Sequence, residues 1–573
     1  MIRRLLELTG ACMVLAASPG YATLATSKHN LTVTGPGTIK AVSEGRMCVF
    51  CHTPHNASPS TPLWNRATPG TSYTPYSSST AKGNAGQPTR GSLLCLSCHD
   101  GTIALGSVLS SKTAITMAGG VTKLPSTSPS MLGTDLSGDH PVSIHYSTTY
   151  NARGAVLGQL AAPATLTAKV RLDSTGQMQC TSCHDPHDDT NAMFLVMPNQ
   201  ASALCISCHL MNNWSQGSHA QSAKTWNGVG PNPWTHTTGT TVAANACESC
   251  HRPHSAPFKK WLQNAATEEG NCYPCHNGNV AAKNVQTEFS KAYLHNVALT
   301  TGAHDAAEAA LVNNRHVECQ DCHNPHASNA SAGTLPGSLI GVKGIDITGV
   351  PVNPAQFEYQ ICFRCHADSG GTMTTQHTAR QIAQINTRLE FATSNPSFHP
   401  VAGPGVNTNV PSLIAPWRIA SVMKCGDCHN NNTGPGAGGT EANGPHASIY
   451  PTLLERQYVT IDNTPESPAN YALCYKCHNR TRFITSTDTP SPFGTDVGHQ
   501  KHVVEMRSPC NVCHDPHGVS STQGNPANNS KLINFDISVV RPINGRLQFI
   551  STSTNHGTCY LICHGEPHNP RSY

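Results

Sequence analysis

The 573-residue chain carries 36 Lys and Arg against 32 Asp and Glu, a formal net charge of +4, and only 12% of its residues are charged. That is about half the roughly 25% of an ordinary soluble domain, which excludes a conventional charged-surface globule. Ser, Thr, Asn and Gly fill most of the space between sparse Leu, Ile, Val and Phe, so something other than side chains must complete the core. The outliers are 25 Cys and 32 His, and their placement decides the class.

In chain order, Arg3 and Arg4 precede an apolar run from Leu5 to about Ala17, then small residues ending in Tyr21-Ala22. This reads as a secretory signal peptide over residues 1–22, with Cys12 lost on cleavage. Lipid attachment at Cys12 is the competing reading, disfavoured by Thr9 where a lipoprotein usually has Leu. No later stretch reaches 18 apolar residues, so no transmembrane span is predicted.

Beyond Ala22 the sequence repeats six times. Module 1 (23–125) has His29, then Cys48/Cys51/His52 with His55 in an HTPH string, then Cys95/Cys98/His99. Module 2 (126–213) has His140, Cys180/Cys183/His184 with His187, and Cys205/Cys208/His209. Module 3 (214–286) has His219, Cys247/Cys250/His251 with His254, and Cys272/Cys275/His276. Module 4 (287–372) has His295, Cys319/Cys322/His323 with His326, and Cys362/Cys365/His366. Module 5 (373–485) has His399, Cys425/Cys428/His429 with the more distant His446, and Cys474/Cys477/His478. Module 6 (486–573) has His502, Cys510/Cys513/His514 with His517, and Cys559/Cys563/His564.

Eleven of these pairs are CxxCH and the twelfth is CxxxCH, the attachment signature of c-type haem. Each thiol adds to a porphyrin vinyl group while the adjacent imidazole ligates the iron, and Cys at i and i+3 project from one side of a helical turn. Disulfides or zinc sites do not require His after every pair. In the last site the extra residue is expected to loop out.

Twelve haems with two imidazoles each need twelve further ligands. The HxPH-type residues His55, His187, His254, His326, His446 and His517, with the upstream His29, His140, His219, His295, His399 and His502, supply that number. An HxPH imidazole sits too close to its own proximal His to reach the opposite face of the same haem, so it is expected to ligate a neighbouring site. His145, His236, His304, His316, His377, His499, His556 and His568 remain as alternates or ordinary residues.

The expected fold is mostly irregular coil with short helices and a C-terminal β-hairpin, wrapped around a chain of twelve covalently bound haems. Helices are expected over Asp305–Asn314 and Thr374–Ala392, the latter with Ile382, Ile385 and Leu389 on one face. A hairpin is expected from Leu532–Val540 and Arg546–Ser551 around Asn544-Gly545. The Ser/Thr/Pro/Gly-rich stretches 58–90 and 119–137 are expected to wrap haem edges.

The alternation of CxxCHxPH with CxxCH, the HPV boxes and the CxxxCHGxxH ending resemble the doubled-CxxCH multihaem cytochromes c of metal-respiring bacteria. The resemblance implies electron transfer in the periplasm or at the outer surface, to extracellular acceptors such as metal oxides. It implies partnership with other multihaem cytochromes, a porin–cytochrome conduit or a homopolymeric filament, and neither nucleic acid nor a membrane span. The alternative is a multihaem reductase with one open iron site. The surplus of His and the absence of a Lys-bearing attachment motif weigh against it. Twenty-four propionates against twelve ferric centres would turn the mature polypeptide's charge into about −9 when oxidised and about −21 when reduced.

Overall fold

The computed structural model describes residues 23–573 apart from 59–62, 79–80, 82, 155–158, 300–307, 312–315, 330–332, 370–375, 485–492, 494–497 and 554–555. The signal segment and His304 therefore lie outside the described residues. The chain divides into two compact units, Met1–Asn212 with His236–Gly239 and Ala244–Ala265, and Asn213–Thr235 with Thr240–Ala243 and Ala266–Tyr573. The residues expected to form module 3 are thus shared between both: Cys247 and Cys250 belong to the first unit, Cys272 and Cys275 to the second.

Irregular backbone dominates, as the composition implies. The longest helices among the described residues are Arg90–His99, Glu268–His276 and Glu358–His366, and each ends on the His of an even-numbered CxxCH motif. In the second of these, the Thr267 hydroxyl accepts from Gly270 N–H, and Glu268 and Glu269 complement the positive helix start. In the third, Tyr359, Ile361 and Phe363 are buried.

The strands in chain order are β1 (Ile144–His145), β2 (Gln177–Met178), β3 (Tyr293–Leu294), β4 (Gly344–Ile345), β5 (Pro351–Val352), β6 (Ser397–Phe398), β7 (Ala447–Ser448), β8 (Gly518–Val519), β9 (Val540–Arg541), β10 (Gln548–Ser553), β11 (His556–Cys563) and β12 (Glu566–Ser572). The first eight form two-residue antiparallel clamps, β1–β2, β3–β7, β4–β5 and β6–β8. The last four make one sheet in which β11 is central: β12 lies along one edge, while β9 and β10 share the other.

Two helix expectations are corrected. Of Asp305–Asn314, the described residues 308–311 form bends, not helix. Of Thr374–Ala392, only Thr387–Glu390 is helical. Its upstream part is instead claimed by the C-terminal segment: Gln381 N–H donates to Phe535 O, Ile537 N–H to Ala379 O, and Ile382 N–H to Asn534 Oδ1. A backbone so engaged cannot also satisfy an i→i−4 ladder. The turn at Asn544-Gly545 forms, both residues having positive φ, and Ile543 and Arg546 pair across it; beyond that bridge, β9 and β10 each pair with β11.

Buried apolar residues form small separate clusters, and most of them pack against attachment cysteines. Ala41, Phe50, Leu105 and Met117 meet Cys51 and Cys98. Tyr359, Phe363 and Phe391 meet Cys425. Val512, Phe535, Phe549 and Leu561 meet Cys513, Cys559 and Cys563. Such clusters are the walls of sites whose centres a prosthetic group would fill.

Candidate functional site

The first eleven Cys pairs sit on or at the end of helical or 3-10 turns. Outside the three longer helices the same closure recurs: the peptide N–H of the motif His donates to the carbonyl of the first Cys, at 2.8–3.0 Å for His52, His184, His209, His251, His323, His429, His478 and His514. That closure brings both Sγ atoms to one side and delivers the imidazole beneath them.

The expectation that both cysteines of a pair lie within one helical turn is corrected at seven of the first eleven sites: Cys208 and Cys477 lie beyond the short helices Ala203–Ile206 and Ala472–Tyr475, and five odd-numbered sites behave alike. Cys51, Cys183, Cys250, Cys428 and Cys513 each follow the last residue of a 3-10 turn. Cys250 shows the reason. It stands just past Ala246–Ser249 with φ of −123°, outside the helical range, and its N–H still donates to Cys247 O at 3.1 Å. Its own carbonyl, however, accepts from Asn264 N–H at 3.0 Å. A carbonyl engaged by a distant segment cannot also serve a continuing helix, so the turn stops at the second Cys and the chain leaves through the HRPH string. The twelfth pair departs further, because Cys559 and Cys563 lie on β11. No residue loops out, and on a strand the two sulfurs stand farther apart than on a helical turn.

The motif imidazoles do not stand alone. Their partners are His29 with His99, His52 with His187, His140 with His209, His184 with His254, His219 with His276, His295 with His366, His323 with His446, His429 with His517 and His499 with His514. A tenth pair joins His502 to His568. All ten ring-centre separations fall between 6.0 and 6.2 Å, while the interplanar angles range from 20° to 88°. Other ring pairs spread from 4.1 Å for His29 with Phe194 to 6.4 Å for Tyr471 with Tyr475, some of them also near 6 Å. A metal bonded to two imidazole nitrogens at about 2 Å each, with about 1.1 Å from each nitrogen to its ring centre, separates the rings by about 6 Å at any twist. The residues therefore fit a six-coordinate haem iron.

Hydrogen bonds at Nδ1 leave Nε2 for that role. The Nδ1–H of His184, His251, His429 and His514 donates to the carbonyls of Met193, Trp261, Thr452 and Lys531, at 2.7–2.9 Å. Those acceptors begin dipeptides, Met193-Phe194, Trp261-Leu262, Thr452-Leu453 and Lys531-Leu532, whose residues all have φ between 51° and 64°. Such left-handed residues cost on the order of 1–3 kcal/mol each and persist where they fix a ligand's orientation. The upstream imidazoles are held by the prolines of HxPH strings: His29 by Pro186 O, His219 by Pro325 O at 2.8 Å, His295 by Pro445 O at 2.8 Å, and His399 by Pro516 O. Two HxPH imidazoles meet buried carboxylates instead, His254 on Asp139 at 3.2 Å and His517 on Glu390 at 2.9 Å.

Burial favours the neutral, ligating form of many of these imidazoles, whereas the Glu390 and Asp515 carboxylates raise His517. Desolvation pushes His29, His276, His366, His429, His446, His478, His514 and His568 down to about 4.

His187, His254, His446 and His517 each face the proximal His of the preceding odd motif, so the first, third and fifth motifs interlock, as do the seventh, ninth and eleventh. His55 is exposed. At the other end His499, an alternate by sequence, takes the place opposite His514. His236 and His316 are engaged elsewhere, on Glu248 O at 2.7 Å and Glu308 Oε1 at 3.1 Å. His145, His377 and His556 are exposed.

The cysteines order the sites. In the first unit Cys51 neighbours Cys98, Cys95 is hydrogen bonded to Cys180, Cys183 neighbours Cys208, and Cys205 is bonded to Cys247. In the second, Cys322 neighbours Cys362, Cys362 bonds Cys425, Cys428 neighbours Cys477, Cys474 bonds Cys510, and Cys513 neighbours Cys563. Within each unit, these contacts place consecutive motifs in sequence side by side in space.

The family model for the doubled CXXCH motif matches residues 174–212 and 240–281. The chain is also 24% identical over 211 residues to "Multiheme cytochrome MtrA" of Shewanella baltica strain OS185, spanning 35% of this chain and 45% of that relative. Both matches support a multihaem c-type cytochrome of the doubled-CXXCH family. Doubled CXXCH motifs indicate covalent c-type haem with iron, a cofactor whose own chemistry is a redox change. No helix among the described residues is long and apolar enough to cross a membrane.

Proposed function

We propose that the chain carries twelve bis-imidazole haems in six di-haem modules and that, within each compact unit, electrons pass along them in sequence order. The single observation that carries this reading is the set of ten imidazole pairs held 6.0–6.2 Å apart. With both axial positions taken, an iron accepts and releases an electron but binds no substrate. The protein's part is to exclude water, fix each imidazole through Nδ1, and bring porphyrin edges together at the cysteine contacts. The signal-like segment and the resemblance to cytochromes of metal-respiring bacteria support export across the inner membrane. They also support a place in the periplasm or at the outer surface, delivering electrons to external acceptors through other multihaem cytochromes or a conduit.

Absorption and EPR spectra of the purified holoprotein test this. Uniformly low-spin ferric haem, unchanged by cyanide or nitrite, is expected. A high-spin component that binds either ligand would favour a reductase.

A further inference from the structure

The twelfth attachment motif is the one in which the helical turn is missing, and the His following its second Cys is not where a ligand should be. His564 and Gly565 form the two-residue turn between β11 and β12, with φ of 50° and 83°. From that turn the His564 imidazole reaches Asp462, its Nε2 lying 2.9–3.0 Å from both carboxylate oxygens. In the neutral ring, the nitrogen that would bond iron is thus committed to a carboxylate.

Alternation along β11 places Cys559, Leu561 and Cys563 on one face. His568 on β12 is directly opposite Leu561, and so shares that face. The face is buried, with Cys559 at 7%, Leu561 at 4% and His568 at 6% exposure. His568 has the features of the other ligating imidazoles: its Nδ1 is hydrogen bonded, here to Tyr573 Oη at 2.6 Å, and its ring centre is 6.2 Å from that of His502. His502 in turn donates Nδ1–H to Gly498 O at 3.0 Å.

We propose that the iron held at Cys559/Cys563 is ligated by His502 and His568, with His564 outside the coordination sphere and bound to Asp462. The physical cause is the strand. A helical CxxCH turn carries its own imidazole to the iron, whereas a strand sends the next residue into the hairpin turn, and the ligand comes from the neighbouring strand. Tyr573 then positions that ligand, accepting its Nδ1–H and fixing the ring.

This rests on a haem being present at the twelfth motif, which intact mass spectrometry of the wild-type holoprotein decides first: eleven haems would remove the premise. With twelve present, His568→Ala in the full-length holoprotein should retain twelve by mass and convert one haem in twelve to high spin. His568→Met, which preserves bulk and a ligand, should stay low-spin and raise the potential of one haem, as Met ligation does. Asp462→Asn should leave the low-spin spectrum intact. If both His568 variants keep a fully low-spin spectrum and an unaltered redox titration, His564 is the ligand and the assignment is overturned. Should His568→Ala fail to accumulate, the Met variant decides alone.

Discussion

Glu390 offers the sharpest test of how the polypeptide tunes a single haem. It is 4% exposed, and its Oε2 lies 2.9 Å from Nδ1 of His517, whose ring faces His429. Adding the width of an imidazole and a metal–nitrogen bond puts the carboxylate about 7 Å from a metal at Nε2. One unit charge at about 7 Å and an effective dielectric constant of about 20 interacts by about 2.4 kcal/mol with the extra charge of the oxidised iron. At 59 mV per tenfold change for one electron, that is about 100 mV. Glu390→Gln keeps an acceptor oxygen for Nδ1–H and removes the charge, so it should raise one haem's potential by about 100 mV without opening its coordination. EPR-monitored potentiometry of the full holoprotein at mildly alkaline pH reads this directly. A titration curve superimposable on wild type would refute the reasoning, because water has little access to screen a 4% exposed carboxylate.

His446→Ala should expose the iron bonded by His323 and yield one high-spin haem, whereas His377→Ala, at an exposed position, should leave the spectrum unchanged; visible and EPR spectra check both. His55→Ala should be spectroscopically silent although it belongs to an HxPH string, while His499→Ala should open the haem of His514. Low-temperature EPR should show two ferric low-spin populations. Near-parallel ring planes such as His52–His187 at 20° and near-perpendicular ones such as His219–His276 at 88° split the iron d orbitals differently, and a single population would contradict the pair geometry. Despite a formal polypeptide charge of +4, the holoprotein should bind an anion exchanger at neutral pH and low salt, and retention on a cation exchanger would contradict the propionate count.

Spacing alone identified the cofactor, because thioether chemistry needs two cysteines and an imidazole within a few residues of one another, and that demand is local. The motif repeat and the scarcity of apolar residues were equally local, and both are visible in the string. Where the turn under each motif stops was not: Cys250 leaves the helical range because Asn264, fourteen positions on, takes its carbonyl. Which imidazole faces which was not legible either, because the partner of His52 is 135 positions away at His187 and neither residue's neighbours encode the other. The clamp strands and proline carbonyls that make this exchange are tertiary contacts. The same holds for the predicted helix over Thr374–Ala392: its apolar periodicity was real, but Asn534 and Phe535 offered its backbone better-placed partners. The dipeptides after the odd motifs could have been noticed, since each ends in Leu or Phe, yet nothing in their composition signals a left-handed backbone. His568 shows the division most clearly. Its sequence position five residues from the C-terminus marked it only as surplus. Strand alternation and a two-residue turn placed it on the face of Cys559 and Cys563 and turned His564 away, because in a sheet the neighbour across the strands, not the next residue in the chain, shares the buried face.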